Sequence, residues 1–245
     1  MLLVGNQSCY LQNSLDENFG SVQLLLKGNA PEASTTIKDY SPSAWSQTAV
    51  NLCQNTSTQS KFEGFSIFQA GDVANAQVTY PVNAMWGTSS FGNNKWTIET
   101  WFYLPSGLYG TYNSCEISSP SGNIMNISIF PTYIGVYTGN GSIFTPITSG
   151  EITAGTWHYV AICKNTTANT ATTSNYDVYL NGTRRTTTSA PTWKSIASQN
   201  FLVGRADGAP RPPKYFDDYR LTIGVNRYTG STMTLPDRSA GIAKR

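Results

Sequence analysis

The sequence predicts an all-β protein, on three observations. Helical periodicity is nearly absent along its 245 residues. Period-two alternation and short apolar runs recur instead, as in strands whose side chains leave on alternate faces. Gly, Pro, Asn and Ser break these runs at the intervals of a β-sandwich or barrel. A chain of this length suits one large β domain, and its 39% hydrophobic content is enough for a sizeable core.

The first strand is expected at 21–27 (SVQLLLK), followed by 64–69 (GFSIFQ), 76–81 (AQVTYP) and 96–104 (WTIETWFYL). The middle of the chain supplies 126–131 (NISIFP), 133–138 (YIGVYT) and 157–164 (WHYVAICK). The last third supplies 176–181 (YDVYLN), 200–204 (NFLVG) and 215–222 (YFDDYRLT). TGNGS at 138–142 and NG at 181–182 carry the glycine-containing signature of hairpin tips. The Pro-rich stretch RADGAPRPPK, 205–214, cannot join a central ladder. GVNRYTG after the last strand reads as one short helical turn. No repeat and no linker divides the chain, so residues 20–237 form one domain between an N-terminal arm, 1–19, and a C-terminal tail, 238–245.

Only 12% of residues are charged, about half the usual share, and Ser, Thr, Asn and Gly make the surface polar instead. A net charge of +2 does not argue for nucleic acid, and the basic residues of 205–220 lack interleaved strand aromatics on one face, so no nucleic-acid partner is expected. The charge is uneven: residues 184–245 hold eleven Lys and Arg against four Asp, a basic edge that would dock on an acidic surface. Arg211 and Lys214 are its candidate docking residues. No apolar run approaches 18 residues, so no membrane insertion is expected, and MLLVGNQSCYLQ has neither the basic region nor the apolar length of a signal peptide. Six N-x-S/T sequons occur, about as many as an Asn-, Ser- and Thr-rich chain yields by chance.

Cys9, Cys53, Cys115 and Cys163 show no C-x-x-C spacing, and one histidine cannot complete a Cys/His zinc set. The sequence leaves their disulfide state open. Hydrolytic chemistry is poorly provided for. A glycosidase needs two carboxylates about 5–9.5 Å apart, which on one strand means acids at i and i+2 or i+4. No Asp or Glu pair here has that spacing, and WTIETWFYL offers only Glu99. His158 is the only imidazole available to a nucleophile, and at a strand start beside Trp157 it reads as a packed framework residue. Asp217 and Asp218 are adjacent on a predicted strand, so they should face opposite sides and not share one pocket. Asp218 and Arg220, two apart, should share a face and form a structural charge pair. The chain is therefore expected not to be an enzyme.

Six pieces in order carry a resemblance: VQLLLKGN, SKFEGFSIFQAGD, WTIETWFYLPSG, GTWHYVAICKN, YDVYLNGTRR and YFDDYRLTIGVNRYTG. Over about residues 20–237 they resemble the concanavalin A-like lectin/glucanase jelly rolls, and among these the laminin G-like domains of tailed-bacteriophage structural proteins. The resemblance implies an antiparallel two-sheet jelly-roll sandwich, with any binding site on loops at one rim. It implies a framework role for the Asp218–Arg220 strand and for His158. Several relatives hold calcium at a loop rim, which makes Asp72 in QAGDVANAQ a weak candidate ligand. Calcium needs six to eight oxygens, so the expectation is no cofactor, with calcium the one metal left open.

Sugar recognition on such a fold stacks aromatic faces on pyranose rings. Trp96, Trp101 and Trp157 fall in strands and are expected in the core. Trp45, Trp86 and Trp193 fall in polar, loop-like surroundings and, with Tyr109, are the glycan-binding candidates. The resemblance implies a non-catalytic virion component made in the host cytoplasm, a capsid decoration or head-fibre type of protein in many copies or as a homo-oligomer. Its partners would be other virion proteins of capsid or tail and host surface glycans. A tail-associated adhesin and a polysaccharide depolymerase are the alternatives.

Overall fold

A computed structural model describes residues 16–62, 64–71, 76–81, 94–105, 112–119, 122–129, 132–138, 141–148, 150–167, 176–187, 200–204 and 213–237. Apart from one turn of 3-10 helix at Phe19–Ser21, the regular elements there are strands. These are β1 (Val22–Leu26), β2 (Ala49–Asn51), β3 (Cys53–Thr56), β4 (Ser66–Gln69), β5 (Gln77–Pro81), β6 (Trp96–Tyr103), β7 (Tyr112–Ser119) and β8 (Gly122–Ile129). The remainder are β9 (Tyr133–Thr138), β10 (Gly141–Pro146), β11 (Trp157–Lys164), β12 (Tyr176–Leu180), β13 (Thr183–Arg185), β14 (Asn200–Gly204) and β15 (Lys214–Ile223).

They form the expected two antiparallel sheets. The first runs β13-β12-β11-β6-β15-β4-β3, with β1 also paired to β15; the second runs β10-β9-β8-β7-β14-β5-β2. The ten expected strands are all present. β2, β3, β7, β10 and β13 were not expected, because short polar segments such as Ala49–Asn51 and Thr183–Arg185 carry little alternation. The NG hairpin is as expected: Asn181 and Gly182 both have positive φ, 50° and 85°, and Leu180 pairs with Thr183. Two left-handed residues in a two-residue loop make the turn whose twist matches paired strands. At the other signal Thr138 lies opposite Gly141, which closes β9 onto β10.

The main core lies between the sheets. Trp96, Ile98 and Phe102 of β6, Val160 and Ile162 of β11, and Tyr219 and Leu221 of β15 face Val78, Ile127, Val136 and Phe201 of the second sheet in one cluster. The first sheet is covered on its other face as well. Trp101, Tyr159, Ala161, Cys163 and Tyr179 pack there against Phe62, Trp157, Tyr228, Met233 and Leu235. Consequently β6, β11, β12 and β15 are buried almost end to end. The outer cover is the segment 224–235, which is no helical turn: it crosses the sheet as an extended strap. Gly224 N donates to Lys95 O, the Tyr179 hydroxyl to Gly230 O, Arg184 N to Ser231 O and Met233 N to Gly182 O, all at 2.8–2.9 Å.

Strand β15 changes partner halfway. Lys214–Phe216 pair with β4 and Tyr219–Thr222 with β1, while β6 flanks the whole length. The ladder with β6 slips between Asp217, opposite Trp101, and Arg220, opposite Glu99, and Asp218 sits there at φ 52°. This is a β-bulge, two residues facing one, and it corrects the expected alternation. Asp217 lies opposite Trp101 on the outer face, and Asp218 reaches Arg220 on that same face. The two carboxylates still do separate work. Asp217 Oδ1 accepts Asp218 N at 2.9 Å and its Oδ2 accepts Phe62 N at 3.1 Å.

Cys53 and Cys163 are buried free thiols, both pushed up to about 12 by burial. Cys9 lies outside the described residues. Where β1 ends, a Cβ on Gly28 would sit 2.1 Å from the backbone nitrogen of Ser66. Gly28→Ala therefore forces β1 away from β4, and urea denaturation should show a loss of about 1–3 kcal/mol, the usual cost of overpacking; an unchanged midpoint would contradict this packing.

Candidate functional site

The acidic residues come first, because they decide whether the sandwich can do chemistry. Glu99, the single acid of WTIETWFYL, is 1% exposed on the outer face of β6. Its Oε1 lies 3.1 Å from Arg227 Nε and 3.6 Å from Arg220 Nε. Asp16 grips both arginines, Oδ2 to Arg220 Nη1 at 2.7 Å and Oδ1 to Arg227 Nη1 at 3.0 Å. Asp218 Oδ1 stands 4.0 Å from Arg220 Nη2. Burial works most strongly against the charge on each arginine, but Glu99 together with Asp218 at Arg220, and with Tyr228 and Asp16 at Arg227, outweighs it and holds both above the ordinary guanidinium value. Burial and the same carboxylate push the phenols of Tyr159 and Tyr228 up. Asp218 and Arg220 thus pair as expected, within a larger cluster. The sequence did not show that Asp16, from the expected arm, and Arg227, from the strap, complete it.

His158 is also a framework residue, with a different neighbour from the expected one. Alternation places Trp157 on Tyr103 and His158 on Phe102, at centroid distances of 5.5 and 5.6 Å. Asn181 Oδ1 accepts Tyr159 N at 3.0 Å, which turns its amide nitrogen toward His158 Nδ1 at 3.1 Å. Nδ1 is then the acceptor, which puts the proton on Nε2; that atom lies 3.0 Å from both Thr153 N and Thr153 O, and in this tautomer it donates to the carbonyl. Burial lowers the pKa of this neutral ring below its usual 6.5.

A recess lies on the long connection between β1 and β2. Residues 29–47 fold back on themselves and enclose a cavity of about 470 Å³, lined among others by Asn29, Pro31, Thr36, Lys38, Trp45 and Gln47. Three buried or half-buried polar side chains shape it. Asp39 spends both oxygens on four donors, Leu25 N and Ser41 N at 2.9 Å, Ser41 Oγ and Trp45 N at 2.8 Å. Asn55 accepts from Asn29 N and donates to Ser34 O and Thr36 O. Gln47 accepts from Ile37 N and donates to Thr35 O. The Tyr80 hydroxyl, donating to Ile37 O at 2.8 Å, pins the loop to the second sheet. A loop held this way has little ordering left to do when it binds.

Trp45 is half-buried, with its ring against the main core. Its Nε1–H is buried and has no hydrogen-bond partner among the described residues. The half-buried Trp45 side chain is itself one of the residues that line the cavity. Lys38 is exposed at the same cavity, its Nζ 4.8 Å from the Tyr40 ring centre. This arrangement can hold a small polar ligand by an aromatic edge and hydroxyl or amide donors; it offers no uncommitted carboxylate for acid–base work. Besides the polar surroundings of Trp45, the D-Y-S stretch at 39–41, an Asx turn in the structure, is a sequence sign that could have located this loop.

Of the other candidates, Trp86, Trp193, Tyr109, Arg211 and Asp72 lie outside the described residues. Among the described residues no group of three His, Cys, Asp or Glu is placed to hold a metal ion. Lys214 is corrected: at 1% exposure it sits inside β15, its Nζ 5.4 Å from the Phe216 ring centre, so it is no surface docking residue. Its neighbours in a Pro-rich stretch suggested a loop, but the strand begins at that residue.

A laminin-G model described as the concanavalin A-like lectin/glucanases superfamily matches residues 72–221. Among solved structures, the botulinum neurotoxin serotype D binding domain superposes with a TM-score of 0.60 at 10% identity, covering 86% of this chain and 49% of that one. The botulinum neurotoxin type G receptor-binding domain gives 0.53 at 13%, covering 87% and 49%. Trypanosoma rangeli sialidase gives 0.54 at 14%, covering 85% and 31%. The chain thus spans about half the length of the toxin domains and under a third of the sialidase chain. No curated protein sequence matches it.

Two outcomes test this geometry. Glu99→Gln leaves two buried guanidinium groups short of their shared carboxylate and should cost about 3–5 kcal/mol in urea denaturation; a loss under about 1 kcal/mol, the worth of a surface pair, would show the cluster to be solvated. His158 has a depressed pKa when folded, so its contribution is present above the unfolded value of about 6.5 and is lost as pH falls below it. The thermal midpoint should fall as pH drops below about 6.5, and that slope should flatten in His158→Gln.

Proposed function

We infer that this chain, which belongs to the concanavalin A-like lectin/glucanases superfamily, is a non-catalytic recognition module that binds a glycan in the Trp45 cavity. The observation that carries this reading is the pre-shaped 29–47 loop, held by Asp39, Asn55 and Gln47, with the half-buried Trp45 lining its cavity. The volume, about 470 Å³, falls in the range of about 300–1,000 Å³ usual for small-molecule sites. A non-catalytic role is supported by where the acids go: Glu99, Asp16 and Asp218 are held by arginines, and Asp39 and Asp217 by backbone N–H groups.

The chain is, in this reading, a virion accessory protein of the capsid-decoration or head-fibre type. Multiple copies on a particle would turn weak single contacts into avidity. The order of its sequence motifs supports the phage setting, and the lectin-type sandwich suits a surface display role. Virion proteins and host surface polysaccharide are its partners on this account.

On an array of bacterial surface polysaccharides the chain should give reproducible binding. Trp45→Ala should weaken it by about tenfold or more, the loss typical of a truncated Trp anchor; because the ring packs on the core its thermal midpoint falls, and circular dichroism at the assay temperature shows that the variant is still folded. A blank array, or full binding by the variant, would remove this reading. Immuno-gold labelling of intact particles checks the virion assignment, and absence of the chain from purified particles would reject it.

A further inference from the structure

A second cavity lies on the outer face of the first sheet, beside the strap. Lys95 ahead of β6, Asn165 after β11, Asp177 on β12, Arg184 on β13, and Asn226 and Thr229 on the strap contribute to its lining, around about 450 Å³. It shares no lining residue with the Trp45 cavity. Asp177 is the buried floor, 3% exposed. Its Oδ1 is paired with Arg184 Nη2, and its Oδ2 accepts from Asn165 Nδ2 at 3.2 Å. The one carboxylate at the cavity is therefore already compensated.

What remains is an excess of donors. Lys95 is exposed and forms no ion pair among the described residues, although its backbone carbonyl is held by Gly224 N. Arg184 has a side chain 42% exposed and, among the described residues, uses only Nη2 on Asp177. Asn226 has its Oδ1 engaged by Tyr228 N at 3.3 Å, which leaves its amide N–H groups for the cavity. Thr229 adds an exposed hydroxyl. Two cations against one paired carboxylate give a net positive recess, and guanidinium with ammonium is the donor set that recognises an oxyanion. The volume exceeds what a bare ion needs, and the amide and hydroxyl suit ring hydroxyls. None of the lining residues is aromatic, so a ring would be held by its polar edge.

We propose that this cationic recess binds a sugar bearing a carboxylate, with the sugar acid's oxygens on Lys95 and Arg184 and its hydroxyls on Asn226 and Thr229. The ligand class rests on the glycan-recognition reading above; the location does not.

The test is calorimetric titration of the full chain with D-glucuronate, D-glucose and sodium sulfate, repeated on Lys95→Met, Arg184→Gln and Trp45→Ala. Glucuronate should bind and weaken with added salt, with glucose about tenfold weaker or more for want of the charge-assisted contact, and sulfate about tenfold weaker or more for want of the hydroxyl contacts to Asn226 and Thr229. Lys95→Met should cost glucuronate about the same factor. Arg184→Gln also breaks the Asp177 pair, so the exposed Lys95 variant carries the result, with its thermal midpoint as the folding control. Trp45→Ala should leave glucuronate binding unchanged. Failure of the wild type to bind glucuronate, equal binding of glucose, sulfate as tight as glucuronate, or an unaffected Lys95→Met would each overturn the proposal. Glucuronate binding lost only in Trp45→Ala would overturn it while leaving glycan recognition at the first cavity intact, and a blank polysaccharide array with Lys95-dependent glucuronate binding would do the reverse.

Discussion

A sheet covered on both faces leaves its central charges no water to turn to, so they must satisfy one another. That constraint governs the first sheet of this protein. Its inner face meets the second sheet and its outer face meets Phe62 and the strap, with Glu99 and Arg220 at the middle. Asp16 and Arg227 close the cluster from either side of the sequence. A buried carboxylate or guanidinium left single would cost several kcal/mol, whereas the set as a whole is nearly neutral in energy and high in specificity. The same contacts fix where the N-terminal segment and the strap lie. One ionic cluster therefore sets the register of three separate stretches of chain.

The β-bulge at Asp217 and Asp218 belongs to the same constraint. β15 must pair with β4 in its first half and β1 in its second, and the slip between them is where an extra residue is taken up. Asp218 accepts a left-handed backbone there, a conformation that Asp tolerates better than most residues. Asp217 caps its neighbour's N–H and reaches Phe62, which joins the bulge to the outer cover. The acids of β6 and β15 are thus consumed by construction, and what the molecule can offer to a ligand moves to loops and to the strap.

The two cavities divide that task by chemistry. The first is walled by an indole and held open by Asp39, Asn55 and Gln47 through their hydrogen bonds to the loop backbone. The second presents ammonium and guanidinium over a carboxylate already bound. One suits a neutral ring, the other a ring with a negative charge. Both are built on backbone that the sheets hold rigidly, through Tyr80 in one case and through the hydrogen bonds of Tyr179, Arg184 and Gly224 in the other. Preformed donors of this kind lose little freedom on binding.

The sequence by itself determined the fold class, ten of the strands, the Asn181–Gly182 turn and the pairing of Asp218 with Arg220, because these follow from periodicity and from neighbours a few residues apart. It also identified Trp45 as a residue in polar surroundings. It misjudged the faces of Asp217 and Asp218, since a bulge depends on which strands flank β15 and leaves no local mark. It misplaced Lys214, whose burial follows from β4 pairing across it rather than from the prolines before it. Only the tertiary structure brought Asp16 to Arg227, 211 positions apart, and Lys95 to the strap. Contacts of that span arise when two sheets and their cover close together, and the hydrophobic pattern that drives closure says nothing about which charges will meet.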